Sequence, residues 1–350
     1  MNKFYTIIFL IIILLYLIYQ YKILKKIYYL YQLYNLTDEQ VDKFLNSKFY
    51  FSEKNYNTLQ DFKNNKPFQG YHLNAQYTND YYSIIFLLCK LGNVEKMYLA
   101  NIDDTKSVKE NQILYEKNLA KYLNVNNGKI LDIGCGCGRI ASHISKLTNS
   151  QVYGLNIDKD QIKDAIEYNK NRENYLKFII GDYNDSLPFQ NNYFNAIYSV
   201  QSLTFCKNLD NLFKEVHRIL KPGGIYSILE FLFLENFDEN NKYHKKLIDS
   251  ALNVSAAGLA IHPIYIEDSL KRNGFKIIKS KGYSTEKILI KENNTFNKVN
   301  YYIKLLNKLK LTPNYLPKMI DHLQVGINDW IEAERLGLIT NHYEIISQKI

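Results

Sequence analysis

Three glycines at alternate positions, where an apolar stretch gives way to a helical pattern, constrain this fold more than any other feature. The stretch Lys129 to Ile133 has the length of a buried strand, and Arg139 to Leu147 has helical periodicity. Between them stand Gly134, Gly136 and Gly138. Glycine lets the backbone turn sharply and approach a ligand, and amide groups at a helix start can face that ligand. The segment therefore predicts a strand, a loop and a helix that bind a nucleotide-like molecule.

The surrounding sequence alternates between strand-like and helical stretches. Residues with strand-like composition occur at 129–133, 151–155, 176–180, 194–200, 225–231, 275–280 and 343–347. Helical stretches occur at 111–123, 139–147, 159–169, 209–220 and 264–273. Strands separated by helices of about 10 to 15 residues indicate right-handed crossovers in a parallel sheet. We therefore predict an α/β fold with a doubly wound, mostly parallel, seven-stranded sheet and a helical C-terminal extension.

The N-terminus carries an apolar run without a charged residue. Phe4 to Tyr21 is 18 residues long and is followed by Lys22, Lys25 and Lys26. As a helix it would be about 27 Å long, enough for a thin bilayer. No small-residue cleavage site follows, and the lysines place the body of the chain in the cytosol. We predict a single-pass membrane anchor, with the endoplasmic reticulum as the expected membrane; a buried N-terminal helix is the alternative.

These patterns divide the chain into four regions. Residues 1–27 form the predicted anchor, and residues 28–106 form a linker and a lid-like segment beside the substrate. The lid-like segment is polar and aromatic, with one apolar helical stretch near Tyr81 to Leu91. Residues 107–285 form the predicted ligand-binding α/β domain, and residues 286–350 form a mostly helical C-terminal region.

Charge and cysteine spacing exclude several functions. The formal net charge of +9 suits an anionic membrane or nucleic acid, but no basic cluster interleaved with aromatic residues marks a nucleic-acid module. Nucleic acid is therefore not predicted as a partner. The four cysteines lack the spacing of a zinc site or a redox pair, so no metal is predicted: they are Cys89, Cys135, Cys137 and Cys206.

The glycine loop and the segments after it resemble the motif series of the class I methyltransferases. The Gly-x-Gly-x-Gly spacing differs from that of dinucleotide-binding loops and is similar to the first motif of this family. Asn156 stands where the family has a ribose-binding acid, and Gly181-Asp182 resembles the pair that holds the adenine amino group. Two later segments, 187–199 and 220–224, resemble the fourth-strand motif and the turn before the fifth strand.

This resemblance implies a Rossmann-like fold that binds S-adenosylmethionine as its cofactor. The cofactor-binding residues that it implies are Asp132, Gly134, Gly136, Gly138, Asn156, Asp182 and Gln201.

From about Tyr81 onward the chain is also similar to the sterol 24-C-methyltransferases. Glu230-Phe231 resembles that family's Glu-Trp strand end, and Glu235 to His244 resembles its acidic, aromatic segment that closes in a histidine. Leu305 to Pro313 and Gly337 to Thr340 are similar to its C-terminal region. The resemblance implies methyl transfer to a sterol or sterol-like lipid at a membrane.

The substrate side departs from that family. Leu87 to Asn93 replaces its aromatic, glycine-rich and acidic sterol segment, and Tyr98 replaces a histidine. Gln201 stands for a glutamate and Phe205 for a histidine. Two alternatives therefore stay open. One is methyl transfer to an amine or oxygen of another lipid, a quinone or a small molecule; the other is a membrane protein that binds S-adenosylmethionine or lipid without turnover.

Sterol C-methylation creates a carbocation at an alkene and ends with the loss of a proton. The activated methyl group needs an aligned nucleophile and a dry site rather than acid or base catalysis. Aromatic candidates for stabilising the cation are Tyr81, Tyr82, Tyr198 and Phe205. Candidates for the base are Glu230, Asp238 and His244. The predicted catalytic set is Tyr82, Tyr198, Glu230 and His244; the sequence leaves the oligomeric state open.

Overall fold

The computed structural model describes residues 24, 26–45, 56–70, 84–90, 94–255, 257 and 260–350. Within these ranges, no helix is both long enough and apolar enough to cross a bilayer. The predicted anchor, Phe4 to Tyr21, lies outside the described residues and stays a prediction. Tyr81 and Tyr82 also lie outside them, while residues 84–90 of the predicted lid-like segment form a helix.

A seven-stranded sheet forms the centre of the structure. Its strands are β1 (Lys129–Ile133), β2 (Gln151–Asn156), β3 (Leu176–Ile180), β4 (Phe194–Val200), β5 (Leu220–Phe233), β6 (Phe275–Tyr283) and β7 (Ile339–Lys349). Their order across the sheet is β3-β2-β1-β4-β5-β7-β6. Neighbours from β3 to β5 are parallel, and β7 runs antiparallel to β5 and β6. The predicted α/β fold with a mostly parallel, seven-stranded sheet is confirmed.

Helices cover both faces of this sheet. They are α1 (Val108–Leu123), α2 (Arg139–Thr148), α3 (Lys159–Tyr168), α4 (Leu209–Ile219), α5 (Lys242–Ser255), α6 (Pro263–Arg272), α7 (Glu286–Lys308) and α8 (Tyr315–Arg335). Apolar residues of α1 and α2 form one core with the sheet, and those of α4 and α6 form another. α1 begins three residues earlier than predicted because Ser107 and Glu110 form a capping box.

Two strands are longer than their predicted lengths. β5 starts at Leu220 instead of residue 225, since the Lys221 to Gly224 turn bulges within the strand. Its pairing with β4 accordingly shifts between Phe194 and Ala196. β7 covers 339–349 instead of 343–347, because it lies inside the sheet, where its buried Glu344 pairs with Lys279. Such paired polar residues interrupt the apolar pattern on which the shorter prediction rested.

A second helical layer lies beyond the carboxyl end of β5. It consists of α5, α7, α8 and two further helices, Asp38–Leu45 and 84–90, and we call it the helical cover. Phe44, Ile84, Met319 and Leu323 are buried together within it. The predicted helical C-terminal extension is confirmed by α7 and α8, but the chain then returns as β7 between β5 and β6. The predicted domain boundaries stay predictions.

Candidate functional site

The glycine loop lies where the strand order reverses. β1 has β2 on one side and β4 on the other, and ligands of open α/β sheets bind at such a point. Gly134, Gly136 and Gly138 all have positive φ angles, of 75°, 51° and 68°. The backbone N–H groups of Gly134 and Cys135 both donate to the carbonyl oxygen of Leu155, at 2.8 and 3.0 Å. The loop is therefore fixed to β2 before it enters α2.

The three glycines face different surroundings. A Cβ atom on Gly134 would lie 2.4 Å from Ser202 Cβ, and one on Gly138 would lie 2.6 Å from the Phe178 ring. A Cβ atom on Gly136 would meet only Gln161 Oε1, at 3.3 Å. Packing therefore requires the outer two glycines, whereas the middle one leaves room for a ligand to approach the backbone.

Asp132, at the end of β1, is buried beneath this loop. Its Oδ2 atom accepts a hydrogen bond of 2.8 Å from the Tyr198 hydroxyl, on the paired position of β4. Burial raises the pKa of Asp132 to about 7. Tyr198, a predicted catalytic residue, has no exposed surface and belongs to the core. The structure therefore places Tyr198 as a buried support for Asp132, and its catalytic role stays a prediction.

A buried ionic cluster around Glu116 of α1 lies on the face of the sheet that α1 and α2 cover. Glu116 is fully buried and accepts hydrogen bonds from Lys96 at 2.5 and 2.7 Å and from the Tyr98 hydroxyl at 2.6 Å. His143 Nδ1 of α2 lies 2.5 Å from its other side. Nothing in the sequence marks this cluster, since its members are scattered over 96–143 without a recognisable spacing. It ties α1 and α2 together behind the glycine loop.

The ends of β2 and β3 carry the remaining predicted cofactor residues. Asn156 is half-buried and its Nδ2 donates to Gln161 Oε1 at 3.2 Å. Asp182 Oδ1 accepts from the Asn184 backbone N–H and side chain, both at 2.9 Å. Between these polar groups, Ile157 and Ile180 are more than half exposed at the strand ends. Exposed apolar side chains beside polar groups that can bond a hydroxyl and an amino group suit a nucleoside. Neither isoleucine was predicted from the sequence.

A tight turn follows β4 and closes the site from the other side. Gln201 adopts a φ of 48°, which is uncommon for a residue other than glycine or asparagine. Its Nε2 donates to the Asn341 carbonyl oxygen of β7 at 2.9 Å. Ser202 Oγ donates to the Ile133 carbonyl at 3.0 Å, and the Tyr183 hydroxyl donates to the Ser202 carbonyl at 2.5 Å. The side chain of Gln201, predicted to bind cofactor, is thus engaged with β7.

Glu230 of β5 fixes the same turn after β4 through its carboxylate. Its Oε2 accepts the Leu203 backbone N–H at 2.7 Å, and its Oε1 accepts that of Phe231 at 3.1 Å. Burial raises the pKa of Glu230 to about 7, while the backbone hydrogen bonds oppose that rise. Both carboxylate oxygens therefore fix the backbone, and the role of Glu230 as a base stays a prediction.

His244 lies at the start of α5, within the helical cover. Its Nδ1 accepts the Asp238 backbone N–H at 3.3 Å, which closes the loop before the helix. Asp238 is exposed, and Phe205 lies in the turn after β4. Of the predicted catalytic residues, the structure therefore brings Tyr198 and Glu230 to the ends of adjacent strands and leaves His244 on the helical cover. Among the described residues, no cluster of metal-ligating side chains occurs.

The helix at 84–90 is tied to the exit of the glycine loop. Lys90 Nζ lies 3.2 Å from Asp164 Oδ2 of α3, and Arg139 of α2 donates to the same oxygen at 2.7 Å. Arg139 also donates to the Cys137 carbonyl at 2.6 Å. Burial alone would raise the pKa of Asp164, but the charges of Arg139 and Lys90 outweigh it and lower that pKa. This ion cluster joins the predicted lid-like segment to the cofactor loop.

Comparison with known proteins assigns the class. Residues 131–228 match a family model described as a methyltransferase domain. A mycolic acid cyclopropane synthase has the same fold, with a TM-score of 0.58, 17% identity and coverage of 72% of this chain and 94% of that one. So does a geranyl diphosphate C-methyltransferase from Streptomyces coelicolor in complex with S-adenosyl-L-homocysteine, with a TM-score of 0.55, 14% identity and coverage of 75% and 91%. The chain therefore carries a class I, S-adenosylmethionine-dependent methyltransferase domain.

Within this class, the chain resembles the sterol 24-C-methyltransferases. It is 31% identical to the sterol 24-C-methyltransferase of Pneumocystis carinii over 244 residues, which are 67% of this chain and 61% of that protein. The predicted cofactor, S-adenosylmethionine, is confirmed. The site's residues fit it, because Gly136 leaves room at the loop, Asn156 can bond a hydroxyl and Asp182 can accept from an amino group.

Proposed function

We propose that this chain transfers a methyl group from S-adenosylmethionine to a sterol or sterol-like lipid at the cytosolic face of a membrane. The observation that carries the proposal is the similarity to a sterol 24-C-methyltransferase over 244 residues, far beyond the 131–228 methyltransferase domain. The shared sequence therefore includes parts of the chain outside the cofactor site, where an acceptor would be selected.

Aromatic side chains form an apolar core between the carboxyl end of β5 and the helical cover. Phe231 packs against Trp330 of α8 with ring centres 6.0 Å apart, and Phe233 stacks on Phe237 at 4.3 Å. Tyr56 packs edge-on against both Phe233 and Phe237. Phe231, Phe233 and Tyr56 are buried in this core, whereas Trp330 is only partly buried. Trp330 is therefore the ring whose electron-rich face could stabilise the cation that an alkene acceptor would become. Trp330, on a helix distant in sequence, was not among the predicted residues.

The chain's own residues supply binding and orientation. When bound, S-adenosylmethionine provides an electrophilic methyl group on its sulfonium. The glycine loop, Asn156 and Asp182 would hold the cofactor, and the turn at Gln201 would close the site against water. Glu230 is the candidate base for the final proton, because a pKa of about 7 suits proton transfer near neutral pH.

One observation favours a second candidate, an amine or oxygen acceptor on another lipid or a quinone. The glutamate of the sterol methyltransferases is replaced by Gln201, which has no charge and whose amide is bonded to Asn341. A carbocation formed near this turn would therefore lack one neighbouring negative charge. An amine or oxygen nucleophile forms no such carbocation and would be less affected.

Radiolabel transfer tests both candidates. The purified full-length chain is incubated with methyl-labelled S-adenosylmethionine and membrane lipids, with Asp132→Ala as the control, and the lipid classes are separated. We expect label in the sterol fraction and none with the control. Label in another lipid would support the second candidate. Cofactor binding without label across sterols, amines and quinones would contradict both and favour a protein without turnover.

A further inference from the structure

Exposed tyrosines and leucines are concentrated at one corner of the helical cover. In the helix at 26–34, Tyr28, Leu30, Tyr31 and Tyr34 are each at least 50% exposed. The end of α7 and the loop after it carry six more, with exposures from 40% to 66%: Tyr301, Tyr302, Leu305, Leu306, Leu309 and Leu311. Monomeric soluble proteins rarely expose so many large apolar groups together, so this surface indicates a partner.

The two segments are neighbours in space. The hydroxyl of Tyr315, the first residue of α8, donates to the Leu33 carbonyl oxygen at 2.6 Å. Leu33 itself is buried. Asn307 Nδ2 donates to the carbonyl oxygens of Thr312 and Pro313, at 3.1 and 3.2 Å, and so folds the loop back onto α7. We call residues 26–34 and 298–314 together the docking corner.

The charge of the docking corner is positive. Residues 298–314 contain four lysines and no acidic residue. Lys304 pairs with Asp321 at 2.6 Å, while Lys298, Lys308 and Lys310 are exposed on the same segment. Exposed tyrosines, leucines and lysines together are the composition of a surface that lies in a membrane interface. The long lysine stems can reach anionic headgroups while their carbon atoms cover apolar surface.

The docking corner also begins where the predicted anchor ends. The uncharged run ends at Tyr21, and the helix at 26–34 follows only a few residues later. Lys22 and Lys25 stand between the two in the sequence, and Lys26 is the first residue of that range. We propose that the docking corner rests in the headgroup region of an anionic bilayer and holds the methyltransferase domain against the membrane that contains its substrate. This inference rests on the proposed lipid substrate but concerns a separate surface.

Lipid quenching at single sites tests the contact directly. The full-length chain is reconstituted into phosphatidylcholine vesicles with phosphatidylserine, and the fluorophore NBD is attached at Leu309→Cys. Ile278→Cys on β6 is the matched control, because Ile278 is also a half-exposed apolar residue. The labelled unsubstituted chain gives the background from the native cysteines. We expect nitroxide lipids to quench position 309 at least about threefold more than position 278. Equal quenching would overturn the proposal, whatever the methylation assay shows.

A functional comparison separates docking from catalysis. Leu309→Gln/Leu311→Gln removes two exposed apolar groups from the corner, and Leu147→Gln/Ile278→Gln removes two elsewhere. We expect the corner variant to methylate vesicle-borne lipid about tenfold more slowly, with unchanged cofactor affinity and an unchanged rate on lipid in detergent micelles. An equal loss in micelles would contradict docking. A dimer in solution that this variant abolishes would assign the corner to a second copy of the chain instead.

Discussion

The cofactor site and the helical cover differ in how far apart in sequence their contacting residues lie. Gly134, Gly136 and Gly138 occur within five residues, and Asn156 and Asp182 follow at the ends of the next two strands. In the helical cover, by contrast, Phe44 and Ile84 pack against Met319 of α8. Backbone geometry and burial therefore fix the cofactor site, whereas the cover depends on side-chain packing between distant segments.

Substitutions in the two regions should therefore have different consequences. At the cofactor site, a single added atom or lost charge acts on a buried, rigid backbone, so stability and cofactor affinity should change together. In the cover, exposed pairs and surface leucines should change local opening or membrane contact, with little effect on the global fold.

Glu116→Gln should cause the largest loss of stability. It leaves the mostly buried Lys96 ammonium without its charged partner, so the free energy of unfolding should fall by about 4 kcal/mol. Denaturant unfolding measures this change. The matched control is Glu167→Gln, whose exposed pair with Lys170 should contribute less than about 0.5 kcal/mol. Equal losses of unfolding free energy in the two variants would show that the buried cluster stabilises the fold no more than an exposed ion pair does.

Gly138→Ala should lower the free energy of unfolding by about 3 kcal/mol. The added methyl group meets both Phe178 and Ala165, and the positive φ is unfavourable for alanine. Gly223→Ala is the control, because Gly223 has a similar φ of 74° but nothing within 4 Å of the added atom. Its cost should be only about 1 kcal/mol, from the backbone alone. A control that lost as much as Gly138→Ala would rule out the packing argument.

Asp132→Asn should change how stability depends on pH. The folded-state pKa of about 7 lies above the ordinary value of 3.8, so the folded chain binds this proton more tightly than the unfolded chain. The resulting stabilisation is complete below pH 3.8 and is lost as the pH rises towards about 7. Asparagine can still accept from Tyr198 but cannot ionise. The variant should therefore match the parent chain at pH 4 and exceed it by about 2 kcal/mol at pH 6.

Thermal unfolding at the two pH values checks this prediction. A parent chain more stable than the variant at pH 6 would mean that the charged form of Asp132 is favoured by the fold, contrary to its burial.

Lys90→Met should have the smallest effect. The pair with Asp164 is partly exposed, so the free energy of unfolding should change by less than about 1 kcal/mol. Amide hydrogen exchange in residues 84–90 should nevertheless become a few times faster, because this helix loses its tie to α3. Lys287→Met, which breaks an exposed pair with Asp104, is the control and should leave exchange in 84–90 unchanged. Unchanged exchange in the Lys90→Met variant would show that the ion pair between Lys90 and Asp164 does not restrain this helix.

The sequence predicts the parallel sheet and the cofactor loop well because both are encoded locally. Short apolar runs, glycine spacing and the alternation of strand and helix need only neighbouring residues, and the seven strands lie where the pattern places them. The helix α5 was missed, and β7 was predicted too short. A strand that enters the sheet from a later part of the chain carries paired polar residues, such as Glu344 with Lys279, which hide its apolar pattern.

Side-chain roles were harder to predict than backbone positions. Tyr198 and Gln201 stand on the predicted strand end and turn, yet the first supports Asp132 and the second bonds to β7. Their partners come from other strands, so one strand's pattern could not reveal them. Trp330 and Glu116 gave no signal in the sequence, because their contacts with Phe231 and Lys96 depend on tertiary structure alone.

We place the cofactor at the open side of Gly136, and equilibrium binding of S-adenosylmethionine to the Gly136→Ala variant tests this placement. The added methyl group meets only the flexible end of Gln161, so the fold should survive with a loss of about 1 kcal/mol. We predict that cofactor affinity falls at least about tenfold in Gly136→Ala and stays unchanged in Gly223→Ala. Unchanged affinity in a folded Gly136→Ala variant would show that the cofactor does not bind at this side of Gly136.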